Sequence, residues 1–385
     1  MPRLRRPPLR VWVWTAATLV LVVVAALLWR GSDAAATEST TAAPADVPDG
    51  APAGAVSRAW AADGDPVPET PVQAGRVLLG EAHGVRALDA VTGEEAWHYT
   101  RSNARLCDVT AVDGRAVAVF ATAGRCDEAV ALDAGTGVRQ WTRNVSLRPD
   151  VSLTSAPGMV VATSPTGVVA IDPASDTLRW SSEVSEGCRI ETGSAGSSAV
   201  VLLESCDGTA RLRGLDRSDG EQLWSRDVPP PDDGGAVQLA GAGRLVAVVA
   251  GAELQLFQGD TGDPLPALPL PPGSADDAPP AAVETTGTLL VWARGTTVAL
   301  EQPRGRVLWS QFSLGLPAVD PDKALQLGSA PVLVPEDGAF VSRDPRTGAE
   351  TGRSTVDGGL PAGGRTATVG PVVVYRLPDR VIASS

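Results

Sequence analysis

The chain has 385 residues, of which 41 are Gly and 32 are Pro, a composition that suits a large domain of short strands joined by many turns. Its formal net charge is −13, and the part that follows the first 30 residues carries −18, so we expect no binding to nucleic acid. Only two His are present, which leaves too few imidazole ligands for a His-based metal centre.

An uncharged apolar segment begins close to the N-terminus. Residues 1–10 contain four Arg and no acid, and residues 11–29 then run VWVWTAATLVLVVVAALLW. Such a run can span a bilayer as a helix, and the Arg excess before it places the N-terminus in the cytoplasm. We expect a cytoplasmic basic tail over 1–10 and a transmembrane signal anchor over 11–29, giving a single-pass protein of the cell membrane with an extracytoplasmic domain. The alternative is a signal peptide that is cleaved near residues 34–36.

The segment after the anchor has a different composition. Residues 30–55 consist mainly of Ala, Thr, Pro, Asp and Ser, with almost no large apolar side chains. Such a segment buries too little apolar surface to fold by itself. We therefore expect a disordered linker over 30–55, followed by a folded domain over 56–385.

A repeated hairpin organises this domain. In the clearest copy, residues 87–97 read ALDAVTGEEAW: a strand, a tight Thr-Gly turn and a second strand that places Trp97 eight residues after Asp89. Successive copies lie 39 to 44 residues apart, which is the period of a four-stranded propeller blade. The further copies are Asp133–Trp141, Asp172–Trp180, Asp216–Trp224 and Glu301–Trp309, and the worn copies are Gln258–Pro266 and Asp344–Gly352.

The two ends of the chain supply an eighth copy. Residues 372–375 and 381–383 match the start of a repeat, but the chain stops where the Asp is expected. Trp60 lies 37 residues before Trp97 and has no hairpin of its own. An N-terminal strand around Trp60 that completes the last blade would close the ring and remove its open edges. The sequence therefore predicts an all-β fold: an eight-bladed β-propeller preceded by one transmembrane helix.

Four cysteines lie in two of the predicted blades. Cys107 and Cys188 open the innermost strand of their blades, and Cys126 and Cys206 follow in the second loop of the same blades. Three pairings are possible, but only Cys107–Cys126 and Cys188–Cys206 join neighbours within a blade. Disulfides suit an exported domain, whereas a zinc site needs a tighter ligand spacing than these cysteines show.

The hairpin resembles the tryptophan-docking motif of the pyrroloquinoline-quinone-like (PQQ-like) propellers. This family includes quinoprotein alcohol dehydrogenases and the outer-membrane assembly lipoprotein of the β-barrel insertion machinery. The resemblance is strongest over residues 85–97, 129–141 and 210–224. It implies that the repeated Trp side chains are structural and pack between adjacent blades, namely Trp60, Trp97, Trp141, Trp180, Trp224 and Trp309.

Departures from that family bear on function. Quinoprotein dehydrogenases use a pair of adjacent cysteines and a calcium site formed by an acidic residue and an Asn. In this sequence no two cysteines are adjacent, and the only Asn residues are Asn103 and Asn144. We therefore expect no enzyme activity and assign no catalytic, cofactor-binding or metal-binding residue. The sequence favours a non-catalytic binding or scaffold protein of the cell envelope. A ligand-binding sensor subunit is the first alternative, and a quinoprotein dehydrogenase is the second.

One face of the predicted propeller is the better candidate for binding. The second loops and the connections between blades lie on the face opposite the Thr-Gly turns, and both predicted disulfides brace it. Loops on a rigid scaffold often carry binding residues, although these connections could equally be tolerated insertions. The candidate residues are Arg101, Arg105, Arg125 and Asp127. We expect an envelope protein or a small ligand as partner, and a monomeric chain.

Overall fold

The computed structural model describes residues 9–30, 32–67, 72–122, 124–145, 147, 150–231, 234–273, 277–319 and 330–385. Helix α1 comprises Leu9–Arg30, and the short helix α2 comprises Asp33–Ala36. The stretch Trp12–Arg30 is long and apolar enough to cross a membrane, and none of it is buried against the rest of the protein. Most of the basic tail expected over 1–10 lies outside the described residues.

The described strands form eight sheets that are arranged as the blades of a propeller, which confirms the predicted fold. Three strands precede the first blade: β1 (Thr37–Ser39), β2 (Gly54–Val56) and β3 (Arg58–Asp63). Blade 1 has β4 (Asp65–Pro66), β5 (Val72–Gln73), β6 (Arg76–Glu81), β7 (Gly84–Asp89) and β8 (Glu95–Arg101). Blade 2 has β9 (Arg105–Val112), β10 (Arg115–Ala121), β11 (Cys126–Asp133) and β12 (Arg139–Asn144). Blade 3 has β13 (Ser152–Ala156), β14 (Met159–Ser164), β15 (Gly167–Ile171) and β16 (Leu178–Glu183).

The second half of the ring continues in the same way. Blade 4 has β17 (Cys188–Ala195), β18 (Ala199–Cys206), β19 (Thr209–Asp216) and β20 (Gln222–Val228). Blade 5 has β21 (Val237–Ala242), β22 (Leu245–Ala250), β23 (Glu253–Gln258) and β24 (Pro264–Pro269). Blade 6 has β25 (Ala281–Thr285), β26 (Thr288–Ala293), β27 (Thr296–Glu301) and β28 (Arg306–Phe312), and β29 (Gly315–Leu316) follows it. Blade 7 has β30 (Val332–Glu336), β31 (Ala339–Arg343) and β32 (Glu350–Val356), and blade 8 has β33 (Gly364–Val369), β34 (Val372–Arg376) and β35 (Arg380–Ser384).

Burial differs between the strands of a blade, and the sequence shows why. All six residues of β22, LVAVVA, are buried, because the second strand of a blade is covered on both faces by the neighbouring blades. In the outermost strand β12, RQWTRN, exposed and half-buried residues alternate, because only one face meets a neighbour. The apolar core therefore lies between the blades, and the polar ends of the strands point to the two faces of the disc.

The ring closes as the sequence predicted. Strand β3 pairs antiparallel with β35, with Trp60 opposite Ala383 and Asp63 opposite Arg380. The backbone of Ser57 also exchanges two hydrogen bonds with that of Ser385, of 3.0 and 3.1 Å. Blade 8 thus takes its outermost strand from the N-terminal side of the chain, which removes an open sheet edge.

The turns define two faces of the propeller. At one face, the Gly75 carbonyl accepts a hydrogen bond from the Ala90 amide at 3.1 Å, which joins the first turn of blade 1 to its Thr-Gly turn. At the opposite face, the Ala82 carbonyl accepts from the Leu106 amide at 3.0 Å, which joins the second turn of blade 1 to the start of β9 in blade 2. We call the first the Thr-Gly face and the second the disulfide face.

The segment expected to be a disordered linker is instead bound to the propeller. Strand β1 pairs antiparallel with β8, with Thr37 opposite Arg101. The Ala42 amide then donates to the Thr136 carbonyl of blade 2 at 2.9 Å, and β2 pairs parallel with β32 of blade 7. The expectation over 30–55 was wrong because it considered only the apolar side chains of the segment. Its order comes from hydrogen bonds to existing sheet edges and to the buried guanidiniums of Arg76 and Arg101, and these contacts need no apolar residues.

The connection from blade 6 to blade 7 also crosses the disulfide face. The Leu314 amide donates to the Pro335 carbonyl at 2.8 Å, and Gly315 pairs parallel with Gly364 in blade 8. The Tyr375 hydroxyl contacts the Leu314 carbonyl at 3.1 Å and the Pro361 carbonyl at 2.9 Å. This connection is therefore held by blades 7 and 8, and its continuation over 320–329 lies outside the described residues.

Candidate binding face and inter-blade contacts

The repeated tryptophans contact the next blade. Trp97 is fully buried, and its indole N–H donates to the Ala134 carbonyl at 3.0 Å. A Cβ atom on Gly137 would lie 2.7 Å from the Trp97 ring, so the turn needs Gly for space as well as for its positive φ of 76°. The equivalent indole contacts measure 2.8 to 3.2 Å and join Trp60 to Ala90, Trp141 to Pro173, Trp180 to Arg217, Trp224 to Gly259 and Trp309 to Pro345.

The two worn copies have different local explanations. In blade 5, the eight-residue spacing pointed to Pro266, but the structure places Leu265 at the tryptophan position. Leu265 pairs with Leu256 and lies beside Gly305 of the next turn. In blade 7, Gly352 occupies that position, opposite Ser342. Blade 8 contains no Thr-Gly turn, because its third and outermost strands come from opposite ends of the chain. A Trp at position 352 would therefore have no turn to contact.

Each repeat Asp organises its own turn. The Asp89 carboxylate accepts backbone hydrogen bonds from Val91 at 3.0 Å and Thr92 at 3.1 Å. Asp344 does the same for Arg346 and Thr347 in blade 7, at 3.0 and 2.8 Å. These are Asx turns, in which a short carboxylate satisfies amides that the sheet leaves unpaired. The Asp of the repeat is therefore a structural residue of the Thr-Gly face.

Two disulfides confirm the predicted pairing. Cys107 is bonded to Cys126, with the Cα atoms 6.1 Å apart, and Cys188 is bonded to Cys206, with the Cα atoms 4.1 Å apart. The two bridges are not equivalent: the first joins β9 to β11, whereas the second joins directly opposed residues of β17 and β18. Both lie at the second turn of their blades, so both brace the disulfide face.

One group of metal-ligand type occurs among the described residues, formed by Cys188, Glu204 and Cys206. The two sulfur atoms are bonded to each other, so neither is a thiolate. Glu204 is fully buried and lies 2.9 Å from the Arg213 guanidinium, while Ser185 donates to its other oxygen at 2.8 Å. This group is therefore a disulfide beside a buried ion pair.

Arg101 does not belong to an open binding surface. Its side chain is 1% exposed, and the guanidinium binds Glu128 at 2.7 Å and Asp33 at 2.8 Å. Asn103 donates to the same Asp33 oxygen at 2.8 Å. Strand-end position alone suggested that Arg101 points to solvent, but the N-terminal segment covers it. The residue fastens that segment to blade 1.

Arg105 and Arg125 are exposed and lie together. Arg105 pairs with Ala121 across β9 and β10, and Ala121 pairs on its other side with Cys126, the residue after Arg125. Asp127 is half-buried, and its carboxylate accepts from the Thr122 hydroxyl at 2.8 Å, so it stabilises the second turn of blade 2. Of the four candidate residues, the two exposed arginines are the ones available to a partner.

Sequence reasoning missed Asp108, which follows Cys107 on the innermost strand of blade 2. Burial raises the pKa of Asp108 to about 6, although its carboxylate accepts backbone hydrogen bonds from Leu153 at 2.7 Å and Val109 at 2.8 Å, which lower it. The nearby Asp65 carboxylate raises it further. The sequence offered one signal for this residue: a single acidic side chain within a mainly apolar strand that also contains a cysteine. The side chain joins the innermost strands of blades 2 and 3.

A shallow cleft of about 360 Å³ lies beside the N-terminal segment. It is lined by residues 35–38 on one side and by His83, Thr100 and Ser102 of blade 1 on the other. The His83 ring contacts the Ala104 carbonyl at 2.6 Å, which fixes the second turn of blade 1 against the connection into blade 2. The cleft marks the point where the segment joins the disulfide face.

Comparison with known families accounts for this arrangement. A PQQ-repeat family model described as outer membrane protein assembly factor BamB matches residues 27–204 and 168–385. The chain belongs to this family. The resemblance to PQQ-like propellers that the repeat indicated is thereby confirmed. A sequence comparison with curated proteins finds no match.

Solved structures that resemble this chain include a BamB, a designed protein and a methanol dehydrogenase. BamB from Moraxella catarrhalis is 16% identical, with a TM-score of 0.49 over 86% of this chain and 99% of that one. The computationally designed Ika8 protein is 15% identical, with a TM-score of 0.55 over 85% of this chain and 98% of that one. A europium-containing methanol dehydrogenase is 12% identical, with a TM-score of 0.44 over 83% and 84% of the two chains. At 15% identity, the likeness to the designed protein concerns the fold alone.

Proposed function

We propose that this chain is a membrane-anchored, non-catalytic scaffold of the cell envelope that binds an envelope protein through its disulfide face. The observation that carries the proposal is a propeller of the assembly-factor family joined, through Gly31 and Ser32, to a helix that can span a membrane. Four Arg precede the apolar segment of that helix, so the propeller would lie outside the cytoplasm. Two disulfides agree with an oxidising compartment.

Contacts of the N-terminal segment favour an uncleaved anchor. Cleavage near residues 34–36 would remove Asp33, one of the two carboxylates that neutralise the buried Arg101. It would also cut through helix α2, where the Ala36 carbonyl accepts from the Ser102 amide at 2.9 Å. Removing one partner of a buried charge is destabilising, so the folded propeller gains from retaining this part of the chain.

The placement of the residues that quinoprotein chemistry would use supports a non-catalytic role. All four cysteines are bonded in two disulfides that lie at the disulfide face. Asn103 binds Asp33 at the outer rim of blade 1, and Asn144 ends the outermost strand of blade 2. Neither Asn is on an innermost strand, where a cofactor in the central channel would need its ligands.

Arg105 and Arg125 are the residues proposed to contact the partner. Both are exposed at one end of blade 2, next to the Cys107–Cys126 disulfide, which keeps their strands in place. Because the surrounding domain is strongly acidic, two adjacent exposed cations form a local site for an acidic segment of another protein. Charged groups of this kind contribute mainly to the rate and specificity of association.

Affinity capture from membranes tests the proposal. Full-length protein with an N-terminal tag is recovered from detergent-solubilised membranes of its own cells, and co-purifying proteins are identified by mass spectrometry. We expect an envelope protein that co-purifies with the unaltered chain and is lost several-fold when Arg105→Glu and Arg125→Glu are combined. The melting temperature should not change, because exposed substitutions typically alter stability by about 0.5 kcal/mol or less.

The matched control is a double reversal on the other face, Glu94→Lys with Glu221→Lys, since both residues are exposed in turns of the Thr-Gly face. It should retain the partner. Loss of the partner in the control, with retention in the arginine variant, would assign binding to the Thr-Gly face. Recovery of the protein from the soluble fraction would contradict the anchor, and the mass of its N-terminus would show whether cleavage is the reason.

A further inference from the structure

The residues next to the membrane helix are fixed to the propeller almost at once. Helix α1 ends at Arg30, and Asp33 already binds Arg101 at 2.8 Å and Asn103 at 2.8 Å. Three residues span about 10 Å at most. The connection between the bilayer and blade 1 is therefore shorter than a single strand of the blade.

The attachment continues beyond Asp33 and does not depend on one ion pair. The Ser102 amide donates to the Ala36 carbonyl at 2.9 Å, and β1 then extends blade 1 by pairing with β8. The buried Arg76 guanidinium donates to the Ala43 carbonyl at 2.8 Å while it binds Asp89 at 2.5 Å. Hydrogen bonds from a charged guanidinium are stronger than neutral ones, so both buried arginines hold the segment firmly.

All of the first contacts lie at one corner of the molecule. Asp33, Arg101 and Ser102 are at the disulfide face of blade 1, and from there the segment runs along the outer edge of the blade to the Thr-Gly face. At that face, Ala45 and Val47 pack beside Gly75, and Pro48 packs beside Gly370 of blade 8. The chain therefore reaches the bilayer from the disulfide face and not from the Thr-Gly face.

We propose that the outer corner of blade 1 at the disulfide face rests on the phospholipid headgroups, so that the propeller is held in one orientation. This inference rests on the proposed membrane anchor. The short connection sets the orientation, because the −18 charge of the domain gives it no general attraction to an anionic surface. Blade 5, four blades away around the ring, is then held away from the bilayer.

Two equivalent alanines allow a matched test. Ala82 in blade 1 and Ala252 in blade 5 are both exposed, and each lies in the second turn of its blade. The carbonyl of each accepts an amide from the chain that leads into the next blade, from Leu106 and Leu270 respectively. The full-length chain, carrying either Ala82→Cys or Ala252→Cys, is labelled with a fluorophore and reconstituted into phosphatidylcholine vesicles that contain an acceptor-labelled lipid. Energy transfer to the lipid reports the distance of each blade from the surface.

We expect strong transfer from position 82 and weak transfer from position 252. Insertion of a twenty-residue Gly-Ser linker after Gly31 leaves Asp33 and its contacts in place but adds a root-mean-square reach of roughly 25 Å. That insertion should abolish the difference between the two positions. A difference that survives the linker would mean that the short connection does not set the orientation.

Equal transfer from both positions in vesicle-bound protein would overturn this inference and leave the anchor intact. Failure of the unaltered chain to float with the vesicles would overturn the anchor itself. A third label, at Glu94→Cys in the Thr-Gly turn of blade 1, distinguishes the faces of the same blade. Stronger transfer from position 94 than from position 82 would mean that the Thr-Gly face is the one that meets the lipid.

Discussion

The two faces of the propeller are stabilised by different interactions. At the Thr-Gly face, the same set recurs in blades 1, 2, 4 and 7: an Asp that orders a turn, a Gly in the turn, and an indole from the preceding blade against that Gly. At the disulfide face the connections differ from blade to blade, and two disulfides, a crossing segment and the N-terminal helix α2 hold them. The repeated contacts of the Thr-Gly face are structural, whereas the disulfide face is where the loops have room to differ and where we propose that a partner binds.

The largest expected effect on stability is at the Thr-Gly face. Trp97→Ala removes a fully buried indole and its hydrogen bond to Ala134, so we expect a loss of about 3–5 kcal/mol in the free energy of unfolding. Leu223→Ala is the control, since Leu223 is an outer-strand apolar residue that is 45% exposed. Chemical denaturation measures both. A Trp97→Ala variant as stable as Leu223→Ala would mean that the blades do not depend on the indole contacts.

Removal of the disulfides tests how much they stabilise the disulfide face. Each bridge closes a loop with a sequence separation of 19 or 18 residues. The chain-entropy account gives about 3 kcal/mol for such a loop, so Cys107→Ala with Cys126→Ala should lower stability by about that amount. Urea denaturation of this variant and of its Cys188→Ala, Cys206→Ala counterpart provides the measurement. No loss in either variant would show that backbone pairing alone holds this face.

A third prediction concerns the pH dependence of stability at one side chain, Asp108. Because the pKa of Asp108 is raised to about 6 in the folded protein, its contribution to stability is complete at low pH and is lost as the pH rises from about 4 through 6. The change corresponds to roughly 2–3 kcal/mol. Asp108→Asn cannot ionise, so the difference in unfolding free energy between the two proteins should shift by that amount over this range. A constant difference would refute the raised pKa.

The sequence was sufficient to predict the turns and strand pairs of the Thr-Gly face, because the repeat shows the role of each residue several times. The interval from Asp89 to Trp97, repeated in later blades, determined the blade period, and the absence of Trp at position 352 agrees with the turn that blade 8 lacks. The pairing of Trp60 with the C-terminal strand followed from the same count. Period and turn chemistry are local properties, so they can be read without a structure.

The contacts of the N-terminal segment could not be predicted in this way. Residues 32–48 carry few large apolar side chains, and the groups that order them belong to the propeller, above all the buried guanidiniums of Arg76 and Arg101. No property of the segment itself indicates that it will extend β8. For the same reason, Arg101 was interpreted as a surface residue, although a carboxylate 68 positions away covers it.

Site-specific photocrosslinking in intact cells tests the central claim, that a membrane-held propeller binds an envelope protein through its disulfide face. A photoreactive residue replaces Arg125 at the disulfide face or Glu221 at the Thr-Gly face, both of which are exposed. We predict an adduct with a single envelope protein from position 125 and none from position 221. An adduct from position 221 alone would contradict this claim, because the partner would then bind the Thr-Gly face.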